Sequence, residues 1–316
     1  MKAAVINKYG EPEVIEIIDL PVPEPDKNQV LIKNYYAGVN PVECKTRRGF
    51  HKYILGSHFP IILGYDVSGE IIKKGEEAVN FNIGDRVYGR SDVKYGRTYA
   101  QYSVVSENSI AIIPQNIDYK IAAAIPLASL TVLQALRDKG KIRAGNNVLI
   151  IGAAGGVGHF AVQLVKFFKA RCYAVSSERH LEFINELAPD EYIDYTKTDF
   201  KKLDQKFDII FDTIGNESYL SCRHLLKRKG IYITTLPRPK VLVHKIISLF
   251  FPGKARTLLM KANRADLEYI SSLIKRNLIK TKIDRVFNLS DAANAHKYLE
   301  KGHTEGKIVI EIPQNE

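Results

Sequence analysis

"NNVLIIGAAGGVGHFAVQLVKFFKARCYAVSS", residues 146–177, decides the fold. Residues 148–151 are a short apolar run suited to a buried parallel strand, and a glycine-rich turn follows. From His159 the pattern becomes helical, with Phe160, Ala161, Leu164, Val165 and Phe168 on one face. "RCYAVSS" is the next strand, which completes a βαβ unit. In "GAAGGVG", 152–158, Gly155, Gly156 and Gly158 let the backbone approach a pyrophosphate and let the helix pack on the strand. The helix N-terminus adds free N–H groups and partial positive charge, so this turn is expected to bind a dinucleotide.

The end of the second strand bears on which dinucleotide. An Asp or Glu there would bind the ribose hydroxyls of NAD. Here the strand ends in Ser176 and Ser177, followed by Glu178 and Arg179. Two hydroxyls and a guanidinium suit a 2′-phosphate, which a carboxylate would repel. Glu178 opens the next helix, where an acid suits the first turn. The expected cofactor is NADPH.

Downstream the alternation continues as helix "ERHLEFINELA", strands "EYIDY" and "FDIIFDTIG", helix "SYLSCRHLLKRKG" and strand "IYITTLP". Alternating β and α over this length implies a doubly wound parallel sheet. A helix "RADLEYISSLIKRN", strand-like "KIDRVFNL", helix "DAANAHKYLEKG" and strand "KIVIEI" close the chain. Upstream, the first 120 residues are strand-rich between Gly, Pro, Asn and Asp turns. "IDYKIAAAIPLASLTVLQALRDKG" reads as two helices broken at Pro126.

Composition excludes several classes. With 45% apolar and 26% charged residues the chain is globular, and no apolar run approaches a membrane span. "MKAAVINKYGEPEVIEI" lacks the apolar core of a secretory signal. Cys44, Cys172 and Cys222 are too few and scattered for a disulfide framework, so a reducing, cytoplasmic compartment is expected. The net charge is +11, and no acid stands between Glu217 and Asp266, where eleven Lys and Arg fall. That face suits polyanions or serves solubility.

Seven stretches match one family: "AGVNPVECKTRRG" (37–49), "LGYDVSGEI" (63–71), "FNIGDRVYG" (81–89), "AAAIPLASLTVLQAL" (122–136), "GAAGGVGHFAVQL" (152–164), "DEYIDY" (190–195) and "GKIVIEI" (306–312). Over nearly its full length the chain resembles the medium-chain dehydrogenase/reductase superfamily, in its zinc-free quinone oxidoreductase branch. The nearest likeness is to chloroplast-envelope quinone oxidoreductase homologues and enone reductases. The resemblance implies an α/β fold, with a GroES-like β-rich domain (1–122 and 266–316) and a central Rossmann domain (123–265) carrying the doubly wound parallel sheet. The cofactor would lie in the cleft between them. Zinc-binding members carry Cys where this chain has Asn40 and His where it has Tyr65, and the four-cysteine lobe after "GDRV" is missing. No metal is expected.

Carried over residue by residue, the resemblance places Asn40 and Thr131 near the nicotinamide, and Gly155, Gly156 and Val157 at the pyrophosphate. Ser177 and Tyr195 would meet the 2′-phosphate, helped by Ser176 and Arg179. Thr235, Leu236 and Pro237 would border the nicotinamide ribose, and His303, Thr304 and Lys307 would return to the cleft. A metal-free site favours acceptors that delocalise negative charge, namely quinones and α,β-unsaturated carbonyls. Lys45 and Tyr53 are the candidate hydrogen-bond donors. The expected function is NADPH-dependent reduction of such small molecules. The alternative is an NADPH-binding regulatory or scaffold protein with little turnover.

The apolar and basic segment 240–261 would cover the substrate mouth, rest on an anionic membrane surface, or form an ordinary helix, loop and strand. Nucleic acid is the disfavoured partner. A homodimer through edge-strand pairing is expected by analogy alone.

Overall fold

The computed structural model describes residues 1–50, 52–56, 58–235, 247–248, 251 and 253–314. The chain divides into two units, Met1–Leu127 with Ala262–Asn277 and Thr281–Glu316, and Ala128–Lys261 with Leu278–Lys280.

The first unit begins with β1 (Lys2–Ile6), β2 (Ile15–Asp19), β3 (Gln29–Val39), α1 (Pro41–Arg47), α2 (Lys52–Leu55) and β4 (Ile61–Ile62). It continues through β5 (Asp66–Lys74), β6 (Arg86–Arg90), β7 (Tyr102–Ser106), β8 (Ile110–Ile112) and α3 (Tyr119–Ala123). At eleven residues, β3 is long enough to pair antiparallel with β5 and with β7, and with a C-terminal strand described below. Its alternation puts Val30 and Ile32 into a core with Val67, Ile71, Val87, Val105 and Ile110.

The second unit begins at Ala128 within α4 (Pro126–Leu133), a helix that starts at the predicted break and runs on as a π turn over Gln134–Lys139. Next come β9 (Asn147–Ile151), α5 (Gly158–Phe167), β10 (Arg171–Ser176), α6 (Leu181–Leu187) and β11 (Glu191–Asp194). Then follow β12 (Phe207–Asp212), α7 (Tyr219–Cys222), β13 (Leu226–Thr234) and β14 (Lys254–Thr257). The sheet is parallel, in the order β11-β10-β9-β12-β13-β14. The chain winds outward from β9 to β11, then crosses to β12 and winds the other way. That reversal between β9 and β12 is the doubly wound pattern, and ligands bind at such switch points. Apolar runs such as Val148–Ile151 are buried throughout.

The predicted helix "SYLSCRHLLKRKG" is only partly helical. After Cys222 a single 3-10 turn leads into β13 at Leu226, paired with Phe207. The register jumps after that pair, so Lys227, Arg228 and Lys229 bulge into solvent while Leu225 and Leu226 stay buried. Sheet pairing overrides the helix propensity of those cations.

The chain returns to the first unit as α8 (Arg264–Lys275), β15 (Ile283–Asn288), α9 (Ala292–Lys301) and β16 (Lys307–Glu311). There β16 pairs antiparallel with β3, setting Ile308 beside Val39. The two chain ends therefore build one sheet, and Lys307 arrives at the end of β3.

Candidate active site

Where β3 ends, Asn40 holds an extended backbone and Pro41 opens α1. The Glu43 carboxylate reaches back and accepts the Asn40 N–H at 2.8 Å. The sequence N-P-V-E thus ends the strand and starts the helix: proline pre-sets the first turn and the acid caps it.

The cap also forms the floor of a buried polar cluster. Asn40 Nδ2 donates to Glu43 Oε1 at 3.2 Å and to Asp66 Oδ2 at 3.0 Å. Lys307 Nζ donates to Asn40 Oδ1, and to the Val39 carbonyl at 3.2 Å, and stands 3.7 Å from Asp66 Oδ2. Asp66 Oδ1 accepts the Leu127 N–H at 2.9 Å, and Glu43 Oε1 accepts the Tyr65 N–H at 3.2 Å. None of Asn40, Glu43, Asp66 and Lys307 is more than 3% exposed.

Burial without water makes each charge costly, and the neighbours decide how costly. Burial, then the charge of Asp66, pushes Glu43 up to about 8, against donated hydrogen bonds that favour its ionised form. Burial raises Asp66 too, while the Lys307 ammonium holds it down. Burial lowers Lys307, and Asp66 and Glu43 oppose that fall. Asn40 is the hub: both its donors and its carbonyl are committed inside the cluster.

Tyr65 lies beside it, its ring under the Arg90 guanidinium at 4.5 Å. Lys45 is half-buried on α1, and Tyr53 on α2 is 89% exposed with its ring against Lys52. His303 is exposed in a left-handed conformation, and Thr304 is half-buried. Of the first-unit candidates, the structure thus brings Asn40 and Lys307 into direct contact.

In the second unit the glycine turn lies between β9 and α5. Gly152 has φ +84°, and a Cβ on Gly158 would come within 2.0 Å of the Gly152 carbonyl oxygen, so both positions need glycine. Gly155, Gly156 and Val157 stay partly exposed at the start of the ten-residue α5. This cradle fits a pyrophosphate.

Ser176 and Ser177 are buried at the end of β10, and Tyr195 donates its N–H to the Ser176 carbonyl at 3.1 Å while its ring is 48% exposed. Arg179 is exposed. Glu178 is held by Lys197, Nζ to Oε1 at 2.5 Å, and Lys197 also lies 4.0 Å from Asp194. Thr131 is buried in α4, and Thr235 follows β13 half-buried. Leu236 and Pro237 lie outside the described residues, as do 240–246, 249, 250 and 252 of the segment 240–261. No helix among the described residues is long and apolar enough to cross a membrane.

Sequence reasoning missed Glu43 and Lys197. The N-P-V-E pattern was a readable signal for Glu43, whereas Lys197 reaches Glu178 only because β10 and β11 end side by side.

Comparisons with known proteins agree with this plan. The family model described as "Alcohol dehydrogenase GroES-like domain" matches residues 26–115, and that described as "Zinc-binding dehydrogenase" matches 187–310. A chloroplast envelope quinone oxidoreductase homolog of Arabidopsis thaliana is 31% identical over 323 residues, covering 98% of each chain. An NADPH-dependent alkenal/one oxidoreductase of the same plant is 33% identical over 331 residues, covering 98% of this chain and 79% of its own. The solved quinone oxidoreductase of Coxiella burnetii superposes with a TM-score of 0.93 at 34% identity, over 99% of both chains.

The residues present do not fit the zinc that the second family description mentions. Amide and phenol replace thiolate and imidazole, and a buried ammonium already occupies the acceptors of Asn40 and Asp66. The chain belongs to the medium-chain dehydrogenase/reductase superfamily, an oxidoreductase of its quinone oxidoreductase branch.

Proposed function

We propose that the protein is an NADPH-dependent, zinc-independent reductase of quinones or α,β-unsaturated carbonyls. The buried Asn40–Asp66–Lys307 cluster carries this reading, because a fixed ammonium stands among side chains that offer no Lewis-acid ligand set. Without a Lewis acid a simple ketone loses one common means of stabilising its alkoxide, whereas quinones and enones spread the charge themselves. The reduced nicotinamide supplies the hydride when bound. The chain's own part is to hold, orient and exclude water.

Gly155, Gly156 and Val157 would take the pyrophosphate, and Ser176, Ser177, Arg179 and Tyr195 the 2′-phosphate. NADPH use is supported by Glu178 being tied to Lys197, which leaves its carboxylate poorly placed to hold ribose hydroxyls. The NADPH-dependent alkenal/one oxidoreductase among the relatives points the same way. With its polar atoms committed inward, Asn40 positions the end of β3, and Lys307 locks Asn40. Lys45 and Tyr53 remain the proposed donors.

The test is NADPH oxidation with a panel of quinones and enones, repeated with NADH. Turnover with NADPH at least tenfold above NADH is expected. Tight NADPH binding without turnover would instead establish a binding or scaffold protein.

A further inference from the structure

Next to the buried cluster, Arg90 Nε and Ser91 Oγ have no hydrogen-bond partner among the described residues. Arg90 closes β6 directly opposite Asp66 of β5 in the strand register. Its guanidinium stacks on the Tyr65 ring at 4.5 Å, yet its Nε is buried without a hydrogen bond. Ser91 follows, fully buried, with its N–H on the Tyr65 carbonyl at 2.7 Å and its Oγ unpaired. Among the described residues Arg90 makes no ion pair.

Leaving such groups unpaired costs stability, more so for a charged one. Buried polar groups in native proteins are nearly always satisfied, and an exception calls for an explanation such as a catalytic role. Tyr65 holds both in place: its ring fixes the guanidinium plane, and its carbonyl fixes the Ser91 backbone. A guanidinium N–H and a hydroxyl, rigid and short of acceptors, match an oxygen carrying negative charge.

We propose that Arg90 and Ser91 form the oxyanion-stabilising donor pair of this site, receiving the acceptor's oxygen as it becomes anionic. The proposal rests on the reductase reading above. In an enone, hydride from the reduced nicotinamide forms a C–H bond at the β-carbon. The C=C pair shifts, the carbonyl π pair moves onto oxygen as an enolate, and the nicotinamide leaves oxidised. A proton from water then forms the α C–H bond and the carbonyl returns. In a quinone the same hydride yields a hydroquinone monoanion, protonated by water. In both cases Arg90 and Ser91 act on the anion, so they lower the barrier more than they tighten ground-state binding.

The test measures kcat and KM of Arg90→Met, Arg90→Lys and Ser91→Ala with a neutral quinone, a neutral enone and a carboxylated enone, together with NADPH affinity. Arg90→Met is expected to lower kcat about 100-fold with unchanged NADPH affinity, the loss typical of one oxyanion donor. Arg90→Lys should recover part of that loss, and Ser91→Ala should show a smaller kcat loss. A kcat within twofold of wild type in Arg90→Met overturns the proposal. So does a KM rise confined to the carboxylated enone, which would make Arg90 a ground-state anchor. If Arg90→Met does not fold, Arg90→Lys and Ser91→Ala decide: both within twofold overturns it.

A second arm needs no turnover. Binding of 4-nitrophenol, followed by the visible absorbance of its phenolate, should enrich the anion on wild type and weaken at least tenfold in Arg90→Met. Equal binding to both overturns the donor pair. Should wild type reduce no acceptor yet lose the phenolate in Arg90→Met, the reductase reading falls and the anion site stands.

Discussion

Replacing Lys307 with Met tests the cluster at its least replaceable member. The side chains are of similar length, so the space stays filled while the charge and three donor protons go. The change orphans Asn40 Oδ1 and the Val39 carbonyl and strips Asp66 of its cation. Each orphaned neutral acceptor costs about 1–3 kcal/mol. Removing one partner of a buried ion pair costs about 3–5 kcal/mol in all, because the surviving charge has no water to turn to. We therefore expect Lys307→Met to lose about 3–5 kcal/mol in urea unfolding followed by circular dichroism. Asp66→Asn in the Lys307→Met background should restore at least half, because the uncompensated carboxylate is then gone. A loss below about 0.5 kcal/mol, well short of the buried-pair range, or no rescue by Asp66→Asn, would show that the Lys307 ammonium does not hold the cluster together.

Three further outcomes follow from other parts of the site. Glu43 titrates near 8 when folded against an ordinary 4.5, so the folded chain binds more protons between those values and stability falls as pH rises through that window; Glu43→Gln should flatten that slope in unfolding measured across it. Lys197→Glu frees Glu178 and adds a second carboxylate near the two serines, so NADPH affinity should drop roughly tenfold with NADH affinity little changed, read by fluorescence titration. Gly158→Ala puts a Cβ within 2.0 Å of the Gly152 carbonyl oxygen, and the turn must shift; dinucleotide binding should fall at least tenfold in the same titration.

The two parts of the protein differed in how much local sequence revealed. The second unit was readable because each of its elements is short, apolar and periodic: the run 148–151, the glycines and the stripe from Phe160 all act over a few residues. The misread helix at 225–229 shows the limit, since Leu226 becomes strand only through Phe207 on a neighbouring element. The candidate site in the first unit was half readable. Asn40 and Tyr65 stand where the resemblance puts zinc ligands, but the side chains that surround Asn40 could not be read locally. Lys307 meets Asn40 across 267 residues because β16 pairs with β3. Nothing local marks Arg90; only the register of β5 and β6 sets it opposite Asp66.

On the proposed mechanism, hydride transfer needs no bound metal and the site is organised by Lys307. The most direct test of this is the rate of NADPH oxidation with a quinone acceptor before and after exhaustive chelation, with zinc content measured on the same sample. The rate should be unchanged at far less than one zinc per chain. A rate that collapses on chelation and returns with stoichiometric zinc would contradict it.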